Sequence, residues 1–230
     1  MKTIGLLGGM SWESTALYYR LINQATRDKL GGLHSAPIAM VSVDFAPIEA
    51  LQHAGDWAAL ARALEEAAQR IEAAGADLLL ICTNTMHKVA PEVSAAVGIP
   101  LLHIADATAD VIEAAGHSTV GLLGTRFTME EDFYRGRLEA RGIRVLVPGE
   151  EDRGVVHRVI YEELCQGKVR DESRACFLDV IDRLGSEGAD AIIEGCTEIG
   201  MLVDAGHTAM PLLDTTVIHA NAAVAMALEP

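Results

Sequence analysis

The chain has 230 residues, half of them hydrophobic, and a formal net charge of −15. That length suits one large domain or two small ones with enough apolar material for a packed core. The acidic balance excludes nucleic acid and anionic membrane surfaces as partners, because both need clustered Lys and Arg. An acidic small molecule would need local cations or helix N-termini to offset the repulsion. Apolar runs such as Leu78 to Cys82 are far short of the ~20 residues that span a bilayer. Met1-Lys2-Thr3-Ile4 carries no signal-peptide pattern, and none of the four cysteines forms a CxxC pair. Both features point to a reducing, cytoplasmic setting.

In chain order, short β-rich runs alternate with longer Ala/Glu/Arg-rich stretches of helical period, the pattern of βαβ units and a parallel sheet. Strands are predicted at Thr3–Leu7, Ile38–Asp44, Asp77–Cys82, Leu101–Ile104, Val120–Leu123, Arg144–Val147, Ala191–Glu194 and Pro211–Asp214. Helices are predicted near 12–30, 56–74, 86–96, 106–115, 129–141, 153–166, 171–187 and 215–228. Glycines just past several of these, as at Gly75, Gly116 and Gly142, suit left-handed C-caps.

The order of elements repeats. Thr3-Ile4-Gly5-Leu6-Leu7-Gly8 is echoed by Thr119-Val120-Gly121-Leu122-Leu123-Gly124. Gly75-Ala76-Asp77, an apolar run and Cys82-Thr83 are echoed by Gly188-Ala189-Asp190, an apolar run and Cys196-Thr197. Pro100-Leu101-Leu102 is echoed by Pro211-Leu212-Leu213, so the matches keep one order at offsets of 111 to 116. The expected fold is therefore α/β: two pseudo-symmetric, doubly wound domains, each with a mainly parallel sheet of about four strands. Strand C-termini would face a shared cleft holding the active site.

In that arrangement Cys82 and Cys196 hold equivalent places, each ending a third strand. Two thiols presented from opposite sides suit a racemase, which removes a proton from one face of a carbon and returns one to the other. A thiol with a pKa of about 8.5 is only about a tenth ionised at pH 7.5, so the site must assist. Helix N-termini after each cysteine, with Thr83-Asn84-Thr85 and Thr197-Glu198, are expected to depress the thiol pKa. The same donors would stabilise an enediolate. Cys165 and Cys176 fall on helical stretches and read as small buried apolar groups. His87, His103 and His219 read as capping or structural. A zinc site of Cys82, His87 and Cys196 lacks the close ligand pairs typical of zinc, so no metal is expected. The Gly5-Leu6-Leu7-Gly8-Gly9 turn is neither a Walker A loop nor GxGxxG, though it could form an anion-binding nest.

These residues resemble the aspartate/glutamate racemases across essentially the whole chain. The likeness rests on Gly8-Gly9-Met10-Ser11-Trp12-Glu13-Ser14-Thr15, Cys82-Thr83-Asn84-Thr85-Met86-His87, Gly124-Thr125-Arg126-Phe127-Thr128-Met129, Tyr161-Glu162-Glu163-Leu164 and Gly195-Cys196-Thr197-Glu198-Ile199. It implies a PLP-independent, metal-free two-base enzyme without a cofactor, usually a homodimer, acting on aspartate and/or glutamate. It implies Cys82 and Cys196 as acid/base thiols, with Met10, Thr83, Asn84, Thr85, Thr125 and Thr197 around the α-carboxylate and amino group. Gln52 and Lys168 would select the side chain, Lys168 meeting a distal carboxylate. The resemblance also implies exchange of the last strand of each half, giving domains of 1–98 with 211–230, and 99–210. Aspartate-selective relatives carry an arginine near the segment that here reads Asp44-Phe45-Ala46-Pro47-Ile48-Glu49. Glutamate racemases carry an aspartate beside the first glycine turn and a histidine after the second Cys-Thr, where this chain has Met10-Ser11 and Glu198. A broader acidic-amino-acid preference follows. The competing readings are a dicarboxylic-acid isomerase or decarboxylase on the same scaffold, a non-catalytic amino-acid binding protein, and a thiol-redox protein.

Overall fold

Residues 1–229 are described by the structure, a computed structural model. The chain alternates strand and helix as the periodicity predicts. In the first half β1 (Ile4–Gly8), α1 (Trp12–Leu30), β2 (Ile38–Ser42), α2 (Phe45–Ala54), α3 (Trp57–Ala73), β3 (Leu78–Ile81), α4 (Ala90–Ala95) and α5 (Ile104–Ala114) follow one another. The second half runs β4 (Thr119–Gly124), α6 (Arg126–Glu130), α7 (Asp132–Glu139), β5 (Arg144–Leu146), α8 (Glu150–Glu162), α9 (Asp171–Ser186), β6 (Ala191–Gly195), β7 (Leu212–Asp214) and α10 (Thr215–Leu228).

Packing divides the chain into two units, Met1–Ile104 with the segment from His219 onward, and Ala105–Ile218. The first unit carries a parallel sheet of order β2-β1-β3. One face of that sheet is covered by α2, α3 and α4 through a core that includes Leu7, Leu64, Ile71, Leu79 and Ile81. On α3 the buried residues Leu60, Ala61, Leu64, Ala67, Ala68 and Ile71 recur at helical spacing, which is why this segment is an amphipathic helix. The other face packs Ile4, Leu6, Leu78, Leu80 and Cys82 against Tyr18 and Ile22 of α1 and Ala220, Ala223 and Val224 of α10. Each fully buried Leu or Ile in such a core contributes about 1.5–3 kcal/mol relative to exposure. The second unit carries a parallel sheet of order β5-β4-β6-β7. Leu123 and Ile192 of that sheet pack against Val156, Val159 and Ile160 of α8 and Phe177, Val180 and Ile181 of α9.

The expected four strands are present in the second sheet, whereas the first has three. Its fourth position is reduced to a single parallel bridge of Leu101 to Leu79, because α5 begins at Ile104 and ends the extended run. The implied strand exchange does not occur. Leu101 stays with its own half, and β7 extends the second sheet by pairing Ile192 with Leu212. The chain returns to the first unit through α10, whose alanine face meets α1. Helix α2 lies where no element was predicted. Asp44 caps it by accepting the Ala46 N–H at 3.2 Å, and Gly55 ends it in the left-handed region at φ 70°. The helix predicted near 86–96 is a 3-10 turn, Thr85–Val89, followed by the short α4. The one predicted at 129–141 starts earlier and breaks at Glu131, whose extended ψ of 154° separates α6 from α7.

Candidate active-site residues

In the first unit the β1–α1 turn brings the backbone close to β2. Gly9 has φ 96°, and a Cβ there would fall 2.2 Å from the Val43 carbonyl oxygen, so the turn admits only glycine. Thr15 closes the turn by accepting the Gly9 N–H at 2.8 Å. Met10 follows, buried against the α3-side core. Cys82 comes directly after β3. Its N–H donates to the Leu7 carbonyl at 2.9 Å, and its own carbonyl accepts from Ser14 Oγ at 3.0 Å. The thiol is fully buried, and burial pushes it well above the ordinary cysteine range. Thr83 is half-buried, and Asn84 and Thr85 are buried. Gln52 is buried on α2.

In the second unit Thr125 follows β4 and caps α6, accepting the Thr128 N–H at 3.4 Å. Cys196 comes directly after β6, half-buried against the α8/α9 core. Its Sγ donates to Glu198 Oε2 at 2.9 Å, and Thr197 Oγ1 donates to the same oxygen at 2.6 Å. Burial, the Glu198 charge and neighbouring Cys165 all push the Cys196 thiol up. Lys168 is exposed and donates to Gln166 Oε1 at 2.6 Å.

The expected lowering of both thiol pKa values is therefore reversed. No α-helix begins at either cysteine: 3-10 turns, Thr85–Val89 and Ile199–Met201, begin three residues later. Single turns present little macrodipole, and desolvation prevails. The expected equivalence of the two cysteines holds in strand order and slips by one residue in register. Leu7 pairs with Ile81, whereas its counterpart Leu123 pairs with Glu194, leaving one more residue before Cys196 than before Cys82. Side chains alternate along a strand, so one extra residue changes the face. Cys82 accordingly lies on the α1/α10 side of its sheet and Cys196 on the α8/α9 side of its own.

Glu198 is the residue whose role the spacing argument missed, since it entered as part of the segment after Cys196 and as a departure from the glutamate racemases, with no acid/base part of its own. Its signal was the Cys-x-Glu spacing, which lets one carboxylate meet both Sγ and the intervening Thr hydroxyl. Glu194 is a second. It stands where the first unit has Ile81, buried, with Oε1 lacking a hydrogen-bond partner. Burial first, then the charges of Asp214 and Asp204, raise its pKa to about 8. Cys176 is exposed rather than buried, because α9 turns Phe177, Val180, Ile181 and Leu184 inward and leaves position 176 outside that face. His87 has both ring nitrogens engaged, Nδ1 with the Thr83 carbonyl and Nε2 with the Ile104 N–H, which leaves neither for a metal. Among the described residues, no helix is long and apolar enough to cross a membrane.

The family model for Asp/Glu/hydantoin racemases matches residues 7–223. The broad specificity amino-acid racemase RacX of Bacillus subtilis (strain 168) is 24% identical over 223 residues, which cover 96% of each chain. A solved structure from Yersinia pestis, assigned to the Asp/Glu racemases, superposes with a TM-score of 0.94 at 55% identity over the whole of both chains. An aspartate racemase homologue from Pyrococcus horikoshii OT3 gives 0.87 at 33% identity, again over both whole chains. A duplicated parallel α/β fold ending its third strands in cysteines, matched over nearly its full length, places this chain in the Asp/Glu/hydantoin racemase family.

Proposed function

We propose that this protein racemises acidic amino acids, aspartate and/or glutamate with broad rather than strict specificity, by a cofactor-independent exchange between two thiols. The observation that carries the reading is the Cys196–Glu198 hydrogen bond, which supplies the base that a thiol held above its ordinary pKa needs. Cys196 S–H gives its proton to Glu198, and the resulting thiolate takes the α-proton of the substrate. Cys82 S–H then gives its proton to the opposite face of the carbanion, leaving Cys82 as thiolate and Cys196 as thiol. Solvent returns a proton to Cys82, and Glu198 releases its own, restoring the start. The reading requires both sulfurs to address one α-carbon from opposite faces.

Met10, Thr83, Asn84, Thr85, Thr125 and Thr197 would hold the α-carboxylate and amino group, their N–H and O–H donors stabilising the enediolate. Gln52 and Lys168 would select the side chain. The missing arginine in Asp44–Glu49 and the likeness to a broad specificity racemase favour tolerance over strict selection. A cytoplasmic homodimer completes the reading, and the net charge of −15 accords with a partner other than nucleic acid or membrane.

Proton NMR of L- and D-aspartate and glutamate in D₂O, with protein and no added cofactor, tests it. Loss of the α-proton signal with growth of the opposite enantiomer is expected. Cys82→Ser and Cys196→Ser should each lower turnover by at least about 100-fold with the fold retained. Full activity in either variant sinks the two-thiol mechanism. Binding without α-proton exchange would make the protein an amino-acid binder, and release of CO₂ from a dicarboxylic acid would make it a decarboxylase.

A further inference from the structure

Three histidine rings lie buried together in the first unit, and the proton transfers above use none of them. His87 sits in the 3-10 turn after Cys82, His103 immediately precedes α5, and His219 is on α10. The His87 ring centroid is 4.6 Å from that of His103 and 5.7 Å from that of His219. Tyr18 of α1 meets the His219 ring edge-on.

The contacts settle two of the tautomers. A carbonyl oxygen only accepts, so His219 Nε2, at 2.9 Å from the Leu102 carbonyl, carries the proton. His219 Nδ1 then accepts the Tyr18 hydroxyl at 2.9 Å. By the same logic His87 Nδ1–H donates to the Thr83 carbonyl at 2.8 Å, and Nε2 accepts the Ile104 N–H at 3.2 Å. Both rings are neutral, with each nitrogen engaged.

These bonds surround Cys82. Ser14 Oγ and the Leu7 carbonyl already hold its peptide groups, and the next carbonyl along the chain, that of Thr83, is held by His87. We propose that His87 is a positioning residue for the Cys82 thiol: its Nδ1–H fixes the Thr83 carbonyl and with it the turn that starts at Cys82, while the Ile104 N–H on Nε2 selects the tautomer that places the proton on Nδ1. The proposal rests on Cys82 being one of the acid/base thiols. An apolar side chain could fill the same volume, but it would leave the Thr83 carbonyl and the Ile104 N–H without these bonds. The ring serves only while neutral, since a proton on Nε2 would set N–H against N–H. The titratable groups facing it are His103 before α5 and His219 on α10, with Tyr18 of α1 behind His219. Neighbouring Lys88 is turned onto the Trp57 ring, at 3.9 Å from its centroid. Burial, then the two nearby imidazoles, holds His87 well below the usual histidine range, so the tie persists into mildly acidic solution.

Two substitutions separate positioning from packing. His87→Asn keeps a donor near Nδ1 for Thr83, whereas His87→Gln reaches toward Ile104 and gives up the Thr83 bond. With melting temperatures close to wild type, His87→Gln should lower kcat by about 10- to 100-fold with KM changed less than twofold, while His87→Asn stays within about threefold of wild type. Peptide mass spectrometry after iodoacetamide should show Cys82 alkylated faster in His87→Gln than in wild type or His87→Asn. Equal behaviour of the two variants in both assays, whether both active or both impaired, overturns the proposal. So does a ¹⁵N spectrum showing His87 protonated on Nε2 rather than Nδ1. A wild-type protein that exchanges no α-proton defeats the racemase reading, while the alkylation and ¹⁵N measurements still report whether His87 holds Cys82.

Discussion

Glu198 and Cys196 form a pair whose two halves pull in opposite directions. The carboxylate raises the thiol pKa, yet on the proposed mechanism it is also the acceptor, 2.9 Å away, that takes the thiol proton. A neutral amide cannot take that proton. Glu198→Gln should lower α-proton exchange by about 10²- to 10⁴-fold, the usual contribution of a general base. Removing the negative charge should also let iodoacetamide alkylate Cys196 at lower pH than in wild type. Unchanged exchange would remove Glu198 from the mechanism, and an unchanged alkylation profile would show that burial alone sets the thiol. Both cysteines were legible as candidates from the repeat and their polar flanks. Their protonation was not, because desolvation depends on side chains brought from α1, α8, α9 and α10.

Among the elements, α2 shows how a helix can escape periodicity and still be readable. It is only ten residues long and holds Pro47 in its first turn, so no extended apolar stripe announces it. Its punctuation was on the page: Asp44 as N-cap, Pro47 early and Gly55 at the end. Asp44→Ala should destabilise the first unit by about 1 kcal/mol, as for loss of an ordinary cap, seen as a lower urea midpoint with unchanged slope. No change would mean that packing of Ile48 and Gln52 alone holds the helix. The contrast between β3 and β6 is subtler. The offset of the repeat changes from 113 at Gly75/Gly188 to 114 at Cys82/Cys196, which records the extra residue. Only strand pairing shows that it moves Cys196 to the opposite face and puts a carboxyl in place of Ile81.

Across the whole molecule, the two units carry buried groups that respond to pH with opposite sign. In the first, burial lowers the His219 pKa to about 4 against an ordinary value of about 6.5. The unfolded chain therefore binds a proton that the folded one refuses, and stability declines as pH falls from about 6.5 toward 4. In the second, Glu194 at about 8 keeps a proton that an unfolded glutamate releases near 4.3. Stability there declines as pH rises from about 4.3 to 8. Hydrogen exchange should accordingly find β1 and β3 amides opening first in acid, and β4 and β6 amides first in mild alkali. Glu194→Gln should remove the alkaline trend and raise the melting temperature between pH 6 and 9. Parallel melting curves for variant and wild type over that range would refute the assignment.

The sequence by itself determined the α/β class, the duplication, the two cysteines at the ends of third strands and the family. Each of these follows from patterns local to a segment: alternation of apolar runs, glycine at turns, and short motifs repeated in order. Tertiary structure alone decided where α10 returns, that the last strands stay with their own sheets, which face each cysteine occupies, and that burial pushes both thiols above the ordinary cysteine range. Those outcomes depend on which distant side chains exclude water from a given atom and on strand register, and neither is encoded in any single stretch of chain.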